Sequence, residues 1–119
     1  MSYILIIDSD KWYSQSLANM LENRSVVVVG GPEEAMAEIE KNIPYMIYLD
    51  LNLGTRNGLT LLNELQSWTD TKTLPVVLLT PEAKRLNIKD WRQYGVAAIL
   101  DKTGLTPDIL RESLRYGEP

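Results

Sequence analysis

The sequence predicts an α/β three-layer sandwich, with a five-stranded parallel sheet between two layers of five helices. Three observations predict it. Apolar runs alternate with helical patterns from one end of the chain to the other. The runs Ile4–Ile7, Tyr45–Leu49, Val76–Leu79 and Ala97–Leu100 are apolar enough to be buried on both faces of a parallel sheet. Each run then ends on a polar group: Asp8, Asp50, Thr80, and the pair Asp101-Lys102. Parallel strands point the same way, so those groups gather at one sheet edge, where open α/β sheets bind ligands.

The elements follow in order. Tyr3 to Asp8 reads as the first strand, and Lys11 to Glu22 as the first helix, with Asp10 as its N-cap. Val26 to Val29 is a short β-branched strand, closed by the Gly30-Gly31-Pro32 break. Glu33 to Lys41 is helical, with acids in its first turn and Ala35, Met36 and Ile39 on one face. Tyr45 to Leu49 is the third strand, and Gly58 to Trp68 a helix with the stripe Leu61, Leu62 and Leu65. Leu74 to Leu79 is the fourth strand, with Pro75 tolerable near its start. Ala83 to Tyr94 reads as the fourth helix, stopped by Gly95. Ala97 to Leu100 is the fifth strand, and Thr106-Pro107 opens a last helix that runs to about Tyr116. Right-handed crossovers place helices on both faces. The strand order 2-1-3-4-5 sets strands 1, 3 and 4 side by side with their polar ends together.

Composition narrows the chemistry. The chain has 119 residues, near the commonest size of one domain, and residues 1–119 are expected to form a single domain with no output domain. With no cysteine and no histidine, thiolate catalysis, a Ser-His-Asp triad, imidazole metal sites and disulfides are all excluded. A net charge of −4 argues against direct nucleic acid binding. No apolar stretch is long enough for a membrane span, and no basic segment precedes Ile4, so a cytoplasmic protein is expected.

The edge residues suit a divalent metal and a phosphoryl group. Asp8 and Asp50 supply carboxylates for Mg²⁺, and the backbone carbonyl of Asn52 completes the protein's share of ligands. Asp50, at the middle of the sheet, is the candidate carboxylate nucleophile. Lys102 neutralises phosphoryl charge and Thr80 donates a hydrogen bond to a phosphoryl oxygen. Each has a plainer reading as well: Asp8 as a turn residue, Lys102 as a solvated one, Thr80 as a cap for the fourth helix.

Taken together, these residues resemble the receiver domains of two-component response regulators, over almost the whole chain. The resemblance is carried by Tyr48-Leu49-Asp50-Leu51-Asn52-Leu53 with Gly58 beyond it, by Leu74 to Thr80 followed by Glu82-Ala83, and by Lys102. It implies a flavodoxin-like fold and phosphoryl transfer from a partner histidine kinase or phosphotransfer protein to Asp50, with Mg²⁺. A Thr80-centred shift would signal to a downstream protein partner, the domain being a monomer or a phosphorylation-dependent dimer. The activity would be at most self-phosphorylation and autodephosphorylation on an aspartate.

The chain also departs from the family pattern. Ser9 stands where the family has a second, metal-binding acid, and Asp10 is expected to serve as the helix cap instead. Pro81, with no N–H, stands where a small residue usually contacts the phosphoryl group. Thr103 replaces a proline after the lysine, Ile99 an aromatic switch residue, and Gly54 a loop proline. A second reading is therefore a pseudo-receiver, a protein-interaction module that works without phosphate. A third, a flavodoxin-type cofactor binder, ranks last because Asp8 and Asp10 would repel an FMN phosphate. Trp91, Tyr94 and Leu86 are candidates for a partner face, or else for covering the sheet.

Overall fold

Side-chain alternation along the strands builds two cores, one on each side of a single sheet. The computed structural model describes residues 2–21, 23–51 and 57–118. Strands β1 (Ile4–Ile7), β2 (Val26–Val29), β3 (Met46–Asp50), β4 (Val76–Thr80) and β5 (Val96–Asp101) are all parallel, in the order β2-β1-β3-β4-β5. This is the order expected from the polar strand ends. Helices α1 (Lys11–Met20), α2 (Pro32–Lys41), α3 (Asn57–Ser67), α4 (Ile88–Trp91) and α5 (Pro107–Ser113) connect or follow the strands.

Leu5, Ile7, Ile47, Leu49, Val76 and Leu78 face one way, onto Ala35 and Ile39 of α2 and Leu61, Leu62 and Leu65 of α3. Ile4, Ile6, Met46, Tyr48, Val77 and Leu79 face the other way, onto Leu17 of α1 and Leu110 of α5. Adjacent strand residues thus alternate between the cores, which explains why the runs are apolar without a break.

The helix ends follow their local chemistry. Asp10 caps α1, its carboxylate accepting the Tyr13 N–H, and Thr106 caps α5 by accepting from Ile109. Proline occupies the first turn of both α2 and α5.

The fourth helix differs from the sequence expectation. In place of one helix from Ala83 to Tyr94, the chain makes a 3₁₀ turn at Ala83–Arg85 and then extends through Leu86 and Asn87. It restarts as α4, with Asn87 accepting the Lys89 N–H at 3.0 Å. An Asn side chain bonded to the backbone two residues on competes with helix continuation, and here it wins. The restart lets Ile88, Trp91 and Tyr94 pack on the α2–α3 core. A 3₁₀ turn at Arg92–Tyr94 follows and ends at Gly95, whose φ of 82° is left-handed.

One polar network crosses the second core. The buried Tyr48 hydroxyl donates to Ser113 Oγ at 2.6 Å, and Ser113 Oγ donates to the Leu110 carbonyl at 2.6 Å. Burial pushes the Tyr48 hydroxyl up to about 12, against the opposing effect of the Ser113 bond. The two ends of this network are not equivalent. Ser113→Ala strands a buried phenol and is expected to cost about 1–3 kcal/mol, whereas Tyr48→Phe leaves Ser113 paired and costs about 1 kcal/mol. In urea unfolding, the double variant should lose less than the sum of the singles.

Candidate functional site

Strand register sets the site. Ile7 pairs with Leu49, Asp50 with Leu79, and Thr80 with Asp101, so the residues that follow each strand emerge on one edge. The Asp8 N–H donates to the Val29 carbonyl, which continues β1 by one residue. The Lys102 N–H donates to the Thr80 carbonyl at 3.0 Å, which does the same for β5.

Asp8 and Asp50 are 1% and 3% exposed. Lys102 enters from β5 and closes on both, its Nζ lying 2.9 Å from Asp8 Oδ2 and 3.2 Å from Asp50 Oδ2. The Asp10 N–H donates to Asp8 Oδ1 at 2.8 Å. Asp8 Oδ2 receives no aligned hydrogen bond, and its nearby cation is Lys102. Burial raises the Asp8 carboxyl above its usual range, and the Asp50 charge adds to this, against the Asp10 N–H and Lys102. Burial pulls Lys102 downward, but its bond to Asp8 and the charge of Asp50 outweigh this and hold it above its ordinary value.

Thr80 is fully buried, and its Oγ1 accepts the Glu82 N–H at 3.1 Å. The hydroxyl therefore closes a turn and does not cap the fourth helix, and accepting that bond leaves its proton to donate. Asp101 Oδ1 takes both the N–H and the hydroxyl of Thr103, at 2.9 and 2.7 Å, and these bonds lower the Asp101 carboxyl. A proline at position 103 would have no N–H to offer.

Asp8, Asp50 and Lys102 thus meet, with Thr80 at the end of the neighbouring strand. The Asn52 carbonyl and Gly54 lie outside the described residues. Ser9 is exposed, and the Asp10 carboxylate is engaged at the α1 N-terminus, so Asp10 does not join the two buried acids. Trp91 and Tyr94 are half-buried against the core, with ring centroids 5.9 Å apart, so they cover the sheet. Tyr13 was not foreseen from the sequence. Its hydroxyl donates to the Lys102 carbonyl at 2.8 Å and its ring centroid lies 4.6 Å from Lys102 Nζ. Burial, with the charges of Asp8, Asp50 and Asp101, pushes the Tyr13 hydroxyl up to about 12. No local pattern signals a contact across 89 residues of chain.

The donor set can be tested against Mg²⁺. Two buried carboxylates, one with an oxygen lacking an aligned hydrogen bond, fit an ion that takes one or two carboxylates and keeps several waters. No group of three or more His, Cys, Asp or Glu suited to a metal occurs among the described residues. With two carboxylates as ligands, most of the ion's remaining positions would be filled by water.

Asp8 sets a pH dependence. Its folded-state value is raised above the ordinary carboxylate value, so its stabilising contribution is present below the unfolded value and lost as pH rises through the folded one. At neutral pH the ionised group is a net cost. Asp8→Asn should raise the melting temperature by a few degrees near neutral pH, the gain shrinking as pH falls toward the unfolded value. Melting curves across that range check it; a gain that grows on acidification would contradict it.

Comparison with known proteins agrees with this fold. A sensor protein from Polaromonas sp. JS666 superposes with a TM-score of 0.88 at 23% identity, over 98% of this chain and 96% of that one, a likeness of fold. A putative response regulator from Chloroflexus aurantiacus J-10-fl gives a TM-score of 0.81 at 26% identity, over 98% of both chains. The Mn²⁺-bound form of the response regulator Rcp1 gives 0.73 at 25% identity, over 94% of this chain and 88% of that one. In sequence, an uncharacterized 14.6 kDa protein of Leptolyngbya boryana is 28% identical over 83 residues, 68% of this chain. The match spans 63% of that relative's length. Residues 4–115 match the response regulator receiver domain. The chain belongs to the response regulator receiver domain family of two-component signalling.

Proposed function

We propose that this domain accepts a phosphoryl group on Asp50 from a phosphohistidine of a partner kinase or phosphotransfer protein, and signals through contacts with a downstream protein. The observation that carries this reading is Lys102 Nζ seated between two buried carboxylates at the C-terminal edge of the sheet. An Asp50 oxygen attacks phosphorus, the P–N bond to the donor imidazole breaks with its electron pair leaving on nitrogen, and an acyl phosphate forms. Attack of water then returns Asp50 and inorganic phosphate. Asp8 and Asp50 would hold Mg²⁺, joined by the Asn52 carbonyl, and the ion supplies charge neutralisation at the phosphoryl oxygens. A Mn²⁺-bound relative supports a divalent cation here. Lys102 follows the charge from Asp50 onto the phosphoryl group, and the Thr80 hydroxyl donates to a phosphoryl oxygen. Residues 1–119 act as one domain, working in the cytoplasm.

A phosphate-independent receiver is the second reading. It is favoured by the exposed neutral Ser9 in place of an acid and by Pro81, which offers no N–H to the phosphoryl group. The two readings part on labelling. With Mg²⁺ and a small phosphodonor, intact-mass measurement should show one added phosphoryl group, and none on Asp50→Asn. Labelling that survives the substitution removes Asp50 as acceptor, and no labelling of the native chain favours the second reading.

The metal site offers a separate check. Ser9→Asp adds a charged oxygen ligand beside Asp8 and should tighten Mg²⁺ binding severalfold in calorimetric titration. Unchanged affinity would show that position 9 does not reach the ion.

A further inference from the structure

Four residues at the site form a closed ring of contacts. The Asp10 N–H donates to Asp8 Oδ1 at 2.8 Å, and Asp10 Oδ1 accepts the Tyr13 N–H at 3.1 Å. The Tyr13 hydroxyl donates to the Lys102 carbonyl at 2.8 Å, and Lys102 Nζ returns to Asp8 Oδ2 at 2.9 Å. The Tyr13 ring also lies under the ammonium, at 4.6 Å. Lys102 is therefore gripped at both ends by one side chain of α1, while its N–H is held by Thr80.

We propose that Tyr13 is a positioning residue for Lys102, its hydroxyl fixing the lysine backbone and its ring fixing the ammonium against Asp8 and Asp50. The inference rests on the reading of Lys102 as the group that neutralises the transferred phosphoryl. A lysine has four rotatable side-chain bonds and loses much rotamer freedom when fixed at one point. Two anchors on one half-buried aromatic ring supply that order before any phosphodonor arrives, so less ordering remains for the transition state. The ring has a second consequence. A cation over an aromatic face is attracted there while keeping its ion-pair contacts, here with Asp8 and Asp50 at 2.9 and 3.2 Å.

Tyr13→Phe removes the hydroxyl and keeps the ring, and Tyr13→Leu removes both. The ε-methylene protons of Lys102 should resonate upfield in the native protein through the ring current. They should stay there in Tyr13→Phe and move to ordinary lysine positions in Tyr13→Leu. With acetyl phosphate and Mg²⁺, the maximal phosphorylation rate should fall about three- to tenfold in Tyr13→Leu and less in Tyr13→Phe. The half-saturating donor concentration should stay within about twofold, since the effect lies on the transition state. Unmoved ε-methylene signals in Tyr13→Leu, or an unchanged maximal rate, would overturn the proposal. Should Tyr13→Leu fail to fold, the nuclear Overhauser contact between the Tyr13 ring and the Lys102 ε-methylene in the native protein decides, its absence being fatal. Absence of labelling in the native protein would remove the phosphoryl-transfer reading alone, and the resonances would still settle where Tyr13 holds Lys102.

Discussion

Two carboxylates buried side by side in a low-dielectric edge repel each other and have lost most of their hydration. Such a pair is tolerable only when a cation lies within contact distance, and Lys102 is that cation. The surrounding structure serves this contact. Lys102 must be delivered by the last strand, the acids by the first and third, and all three strands must be parallel for the charges to coincide. Removing the ammonium would take away the cation that both carboxylates contact, while removing one carboxylate relieves repulsion. The asymmetry follows because one ammonium contacts both carboxylates.

This arrangement also bears on signalling. The site is ordered around an internal cation, and in the proposed reaction an incoming phosphoryl group or metal would share or displace its bonds. Such displacement is a change of partner for Lys102, and Lys102 is tied to α1 through Tyr13 and to β4 through the Thr80 carbonyl. A shift in the ammonium therefore has mechanical routes out of the site by hydrogen bonds already present. Ile99 packs into the α2–α3 core side of β5, so no buried aromatic there can rotate as a readout.

The departures from the family pattern have local explanations that differ in kind. Thr103 is absorbed, because its N–H and hydroxyl both bind Asp101 and shape the turn that carries Lys102. Ser9 and Pro81 are not absorbed in this way: neither substitutes a charge or a donor for the one missing. The first concerns the order of the loop, and the other two concern the strength with which a metal and a phosphoryl group would be held under the proposed function.

The unbroken apolar strands, their polar ends and the helix caps at Asp10 and Thr106 were all legible in the sequence. Each depends on residue type and near-neighbour spacing, and so does the parallel sheet that gathers Asp8, Asp50, Thr80 and Lys102 at one edge. Helix α4 was not legible, since Ala83 to Tyr94 has helical composition throughout. Asn87 offers the competing side-chain bond, and the packing of Ile88, Trp91 and Tyr94 against the core decides that it wins over helix continuation. The grip of Tyr13 on Lys102 was equally hidden, as was the Tyr48–Ser113 bond, because each joins residues far apart in the chain whose meeting depends on helix placement. Local chemistry determined which groups reach the edge; tertiary packing alone decided which of them touch, because contact distance is a property of the folded layers and not of the spacing along the chain.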